Sequence, residues 1–329
     1  MGMRNFMRPG FLAAALCLAA IPAFPAVDPA LLNVAMPDAQ ALTGVLVDQV
    51  QSSPFGQYVV SQIQVDSELA RVMAATGFDP RKDLHEIVAA SASNSTGLVI
   101  GRGVFQPSRI SAAAVLAGAV SSTYRGFEIL TAATVHNGAA SQSGSSQSGS
   151  GVFLDSTIVL LGDTASVKAA IDRHIAGAVF SGPLAQKAMQ VSAGNDIWFV
   201  AAQSPASFFS GKAPNQGIGN LANAFQAIQQ TSGGVKFASS GVTVALALVA
   251  DSAQDAQSLV DVGKFLASMV QTNRNQNPGA AKAATLADAA VFSASGTVAT
   301  VTLSLPEQQL EQLLMPPGGA QPKRRAAAR

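Results

Sequence analysis

The chain's apolar positions change period along its length, and these changes divide it into short strands and helices. In the first half the pattern predicts a strand over Leu42–Asp48 and helix from about Ser53 to Thr76, with a break near Val65. Two strands follow at His85–Ser91 and Gly97–Phe105. Gln106–Pro107–Ser108 opens a helix that runs to about Gly118, with the proline in its first turn. Strands at Phe127–Val135 and Val152–Leu161 come next. Asp163 or Thr164 then caps a helix to Ala176, whose Val167, Ile171 and Ile175 share one face.

The second half reads in a similar order. Asp196–Ala202 is a predicted strand, and Ser204–Gln230 is predicted helical with an interruption over Gly211–Gly219. Val235–Ala238 and Val242–Ala250 form a hairpin around Ser239–Ser240–Gly241. Asp251 or Ser252 caps a long helix to Thr272, with an apolar stripe through Leu259, Val260, Gly263, Leu266, Ala267 and Val270. Ala289–Ser293 and Thr297–Leu305 make another hairpin, turning at Ser295–Gly296, and Glu307–Leu314 is a closing helix.

Each half therefore reads strand, helix, hairpin, helix, hairpin, helix, which predicts an internal duplication. Hairpins require antiparallel pairing, so the expected class is α+β: two similar units of mainly antiparallel sheet with helices packed on it. The first unit is placed at 27–190 and the second at 191–315, with the boundary near Ser181–Asn195. The Ser/Gly/Gln tract Ala140–Gly151 has no apolar anchor and reads as an expanded hairpin tip. Residues 316–329 read as a disordered basic tail. In Val242–Ala250, the Val242, Val244, Leu246, Leu248 face and the Thr243, Ala245, Ala247, Val249 face are both uncharged. Both are expected to be covered; the alanine face suits close backbone packing, and a cavity over it that holds an apolar ligand is the alternative.

The N-terminus changes the setting. Arg4 and Arg8 precede an apolar run from Phe11 to Ala20, and Pro22 and Pro25 break it. This is the pattern of a secretory signal over residues 1–26, and it implies a periplasmic or secreted protein. Cleavage after Ala26, Ala23 or Ala20 fits the small-residue requirement; a retained anchor, or a lipoprotein modified at Cys17, are the alternatives. Cys17 is the chain's one cysteine, so a cleaved protein has neither disulfide nor thiol chemistry. No later run is long enough to span a membrane as a helix.

Hydrophobic residues make up 48% of the chain and charged residues 12%, enough apolar surface for a sizeable core. Between residues 27 and 322 there are 14 basic and 19 acidic side chains, so this segment is mildly acidic. That balance argues against nucleic acid as a partner, since phosphate binding needs clustered cations.

The chemistry is sparse. His85, His136 and His174 share no local motif, and no zinc-type, nucleophile-elbow or phosphate-loop pattern occurs. No cofactor or catalytic residue is assigned. The densest polar run, Asp79–Pro80–Arg81–Lys82–Asp83–Leu84–His85–Glu86, is the candidate recognition patch through Asp79, Arg81, Lys82, Asp83, His85 and Glu86. It can equally be a solvated turn entering a strand. Trp198 and Phe199 are adjacent on a strand and must face opposite sides. Asn94–Ser95–Thr96 is a formal glycosylation sequon.

Two stretches, MPDAQALTGVLVDQVQSSPFGQYVVSQI (36–63) and TGFDPRKDLHEIVAAS (76–91), resemble the opening of uncharacterised exported bacterial proteins grouped as domains of unknown function. In those, a run similar to SPFG and a later GFDP turn precede a hairpin. The resemblance covers the first third and implies an envelope location without an activity. The sequence therefore predicts an exported, non-catalytic binding or scaffolding protein of the bacterial cell envelope, with an envelope protein or an apolar ligand as partner. The alternative is an enzyme of unfamiliar type in which Asp83, His85, Glu86 or His174 meet across the fold.

Overall fold

A computed structural model describes residues 26–62, 67–92, 97–132, 149–202, 226–276 and 278–314. The export segment with Cys17, the sequon, His136, most of the Ser/Gly/Gln tract, the helical stretch expected over 204–225 and the basic tail lie outside them.

The fold is α+β, and its described strands form one twelve-stranded antiparallel sheet. Its centre is the pairing of β1 (Ala41–Leu46) with β8 (Ile197–Ala201), which joins the two halves of the chain. Outward from β1 come β2 (Leu84–Ser91), β3 (Gly97–Gly103), β7 (Ile158–Asp163), β6 (Gly149–Phe153), β5 (Phe127–Thr131) and edge strand β4 (Val120–Tyr124). Outward from β8 come β9 (Ile228–Ala238), β10 (Gly241–Ala250), β12 (Val298–Pro306) and edge strand β11 (Ala290–Ser295). The first four strands on each side of the centre follow one connection order; hairpin β4–β5 extends the first side alone.

Eleven helices are formed among the described residues. They are α1 (Pro29–Asn33), α2 (Val47–Ser52), α3 (Pro54–Ser61), α4 (Ser67–Thr76), α5 (Pro80–Asp83), α6 (Pro107–Leu116), α7 (Thr164–Ile175), α8 (Pro183–Ser192), α9 (Ala253–Thr272), α10 (Pro278–Asp288) and α11 (Glu307–Leu314). Their starts follow local chemistry. Asp163 Oδ1 accepts the Ser166 amide to cap α7, and Ser252 Oγ accepts the Asp255 amide to cap α9. Proline occupies the first turn of α1, α3, α5, α6 and α8, where its missing N–H costs nothing.

One row of directly opposed residues crosses the sheet: Ile129, Val152, Leu160, Ile100, Val88, Gly44 and Trp198. Its six side chains larger than glycine are fully buried. With Leu31 and Leu32 of α1 and Val167 and Ile171 of α7, they form the main core. A second cluster lies under α9, where Ala256, Leu259 and Val260 meet Leu248, Ala299 and Phe292. Trp198 points into the main core, and Phe199, half-buried, points to the opposite face.

Several sequence expectations shift. Val152–Leu161 is not one strand. It divides into the ends of β6 and β7, because Asp155 Oδ1 accepts the Thr157 and Ile158 amides and closes a turn inside the apolar run. The last residues of the Ser/Gly tract, Gly149–Gly151, accordingly begin β6 rather than extending a loop. Strand β4 adds an edge that the pattern did not reveal. Strand β1 stops at Leu46, and α2 begins at Val47. Ile228–Gln230, expected at the end of a helix, starts the eleven-residue strand β9, which is hydrogen-bonded on both sides. Helix α8 packs on β1, β8 and β9. The alanine face of β10 is half-buried and lies beside Ser232, Gly234, Thr300 and Thr302.

Candidate functional site

The polar run from Asp79 to Glu86 does not converge on one site. Asp79 caps α5, and its carboxylate receives the Arg81 amide and two guanidinium hydrogen bonds, all at 3.0 Å. The Arg81 bonds hold the Asp79 carboxyl below its ordinary value despite opposing burial, and the same contact raises Arg81. Asp83 Oδ2 accepts the Asp79 amide at 2.7 Å, which closes the turn on itself. Lys82 is exposed. His85 turns away to Asp48 on α2, with Nδ1 to Oδ1 at 2.9 Å.

Glu86, next in the strand, points to the other face and is 1% exposed. Its Oε1 accepts the Asp28 amide at 3.0 Å and its Oε2 accepts Arg102 Nη2 at 2.7 Å. Burial pushes its carboxyl above the ordinary range, against the lowering pull of the Asp28 amide and Arg102. The patch is thus a self-neutralised turn, one exposed histidine–carboxylate pair and one buried anchor. His174, on α7, meets the Phe127 ring edge-on at 6.0 Å. It shares no partner with His85 or Glu86, so the described members of the proposed acid–base set remain apart. Among the described residues no group of three His, Cys, Asp or Glu is placed to hold a metal ion.

A concave feature lies elsewhere. Helix α6, PSRISAAAVL, packs beside β5 on the face opposite the main core. A groove of about 670 Å³ runs between it and strands β3, β5, β6 and β7. Its walls include Val99, Ile110, Ala114, Leu130, Phe153 and Leu161. Val99 and Leu161 are 39% and 49% exposed, unusual for branched aliphatic side chains in the interior of a sheet. Glycines keep the floor low: a Cβ on Gly151 would stand 3.0 Å from Leu161 Cδ2, and one on Gly162 would stand 2.6 Å from the Gly97 carbonyl. Among the described lining residues Ser150 is the one side chain with a polar group, and its Oγ is already held between Thr131 Oγ1 at 3.1 Å and Thr164 Oγ1 at 2.7 Å.

Among the described residues no charged side chain lines the groove, so its walls offer apolar contact to a ligand. From the sequence, β10's alanine face could carry either close backbone packing or a cavity. The groove forms over β3 and β5–β7, because β7 inserts beside β3 and brings glycine-bearing strands together. The local signal available was α6 itself, whose apolar residues surround the helix rather than form one stripe.

No protein-family model matches the chain, and no curated protein matches it. Among solved structures, crystal form III of TP0453 is similar with a TM-score of 0.50 and 10% identity over 88% of this chain and 98% of that one. Crystal forms I and IV of TP0453 give TM-scores of 0.46 and 0.49 at 10% and 9% identity. At this identity the similarity to form III concerns the fold alone. No helix among the described residues is long and apolar enough to cross a membrane.

Proposed function

We propose that the protein is an exported, non-catalytic binding protein of the bacterial cell envelope, and that it carries an uncharged apolar molecule in the groove beneath α6. The observation that carries this reading is a groove of about 670 Å³ whose walls, among the described residues, are aliphatic and aromatic, with one side-chain hydroxyl that is already paired. A pocket of this size falls in the usual range for small-molecule sites, roughly 300–1,000 Å³. Missing charge selects against ionic ligands, because a desolvated ion would find no partner there. Export is supported by the basic, apolar and proline-broken order of residues 1–26. Internal duplication is supported by the shared strand order on the two sides of the β1–β8 pair.

Titrating the purified protein with an environment-sensitive apolar naphthylamine dye tests the groove. The wild type should bind it saturably, and Ala114→Trp, which fills the groove from α6, should abolish the signal while leaving the thermal melt in place. Equal binding by both proteins would contradict the assignment.

A further inference from the structure

Helix α6 borders a second hollow where it packs against α4. This hollow has a volume of about 410 Å³, and Ala75 of α4 lines it together with Arg109, Ala112, Ala113 and Leu116 of α6. Those four stand at i, i+3, i+4 and i+7, which places them on one flank of the helix. The groove meets α6 through Ile110 and Ala114 instead, so the two hollows share no lining residue. Leu116 is 90% exposed at the mouth of the second hollow, so a bound hydrocarbon chain would remove aliphatic surface from water.

Arg109 is the charged member of this lining. Its guanidinium lies against Gly77, the residue after α4: a Cβ built there would stand 2.9 Å from Arg109 Nη1. Gly77 has a φ of 73°, so glycine suits both the turn and the close contact. The last carbonyls of α4 favour a cation at this place. The Arg109 side chain donates to the neutral Gln106 Oε1 at 3.2 Å, and among the described residues no carboxylate forms an ion pair with it. Helix α6 itself has no acidic residue. A guanidinium carries five N–H donors in one plane. Arg109 therefore brings a positive charge, with donors to spare, to the edge of an apolar hollow.

We infer that this hollow binds a straight-chain carboxylate, with the hydrocarbon against Ala75, Ala112, Ala113 and Leu116 and the carboxylate held by Arg109. A neutral molecule leaves the guanidinium unused, and a cationic one is repelled by it. The site is separate from the groove and takes a different class of molecule, so it stands or falls independently of that reading. Titration calorimetry of the purified protein with decanoate tests it. The wild type should bind decanoate saturably. Arg109→Gln should weaken binding about tenfold, the effect of losing a charge-assisted pair, and Arg109→Lys, which keeps the charge, should recover part of it. Ala112→Trp should fill the hollow and abolish binding; Ala112 is exposed, so the core is untouched. Ala114→Trp, which blocks the groove, should bind decanoate as the wild type does. No binding by the wild type would overturn the proposal. Undiminished binding by Arg109→Gln would overturn it too, leaving Arg109 only its place at the end of α4. Loss of binding in Ala114→Trp would put decanoate in the groove and overturn it as well.

Discussion

The indole of Trp198 lies across the backbone of Gly44, its directly opposed partner in the β1–β8 pair at the centre of the sheet. A Cβ built on Gly44 would stand 2.3 Å from Trp198 Cε2. The contact joins the two halves of the chain, and the aromatic ring covers surface that the glycine leaves bare. Gly44→Ala forces the ring out of the core and should cost at least the ~1–3 kcal/mol of ordinary overpacking. Urea denaturation measures the loss. Because Trp198 is the chain's one tryptophan, its emission should also shift to longer wavelength. Unchanged emission and midpoint would show that the ring does not depend on the glycine.

On the opposite face, Phe199 stands over Gly233 in the β8–β9 pair, where a Cβ would come 2.9 Å from Phe199 Cε1 and 2.4 Å from the Ala245 carbonyl. The carbonyl is backbone and cannot give way. Gly233→Val should therefore destabilise even when combined with Phe199→Ala, by roughly 1–3 kcal/mol in urea titrations. Full rescue by the second substitution would mean the ring alone set the requirement.

Glu86 gives stability a pH dependence of defined sign. Its folded-state pKa is raised, so its contribution is complete below the unfolded carboxylate value, about 4.3, and is lost as pH rises through the folded value. Relative to Glu86→Gln, the wild type should lose stability between about pH 4 and pH 7. Parallel denaturation curves at these two pH values decide it. A wild type that gains on the variant as pH rises would contradict burial as the dominant influence.

Asp155 behaves in the opposite sense. Burial pushes its carboxyl up, but hydrogen bonds from the Thr157 hydroxyl and the Thr157 and Ile158 amides outweigh this and lower it. Its contribution is therefore present above the unfolded value, about 3.9, and fades as pH falls through the folded one. Asp155→Ala should cost about 1 kcal/mol at pH 7, a modest figure because the turn is exposed. The gap should close in acid. An equal deficit at pH 7 and at low pH would assign the loss to turn geometry instead of the charge.

Much of the architecture could be read from local signals. Asp163 and Ser252 stand where helix caps should, and the antiparallel hairpin class follows from β9–β10 and β11–β12. The failures have physical causes. Ile228–Gly234 is rich in glutamine and glycine and has weak strand propensity; it becomes a strand because β8 and β10 both hydrogen-bond to it. The β6–β7 turn hides in an apolar run because one side chain, Asp155, makes it. The polar run around Asp83 drew attention by composition, yet alternation along β2 sends His85 and Glu86 to opposite faces. The groove was illegible because it depends on β7 lying beside β3, strands separated by more than fifty residues of chain.

The central claim is that the groove beneath α6 holds an apolar molecule. A ligand present at a hundred times its dissociation constant would add about 2.7 kcal/mol to stability, and one that dissociates slowly stays bound through purification. Native mass spectrometry of the protein recovered from the bacterial envelope fraction, beside Ala114→Trp prepared identically, tests the claim directly. The account predicts an uncharged apolar adduct of defined mass on the wild type and none on the variant. A clean apo mass for both proteins, or the same adduct on both, would contradict it.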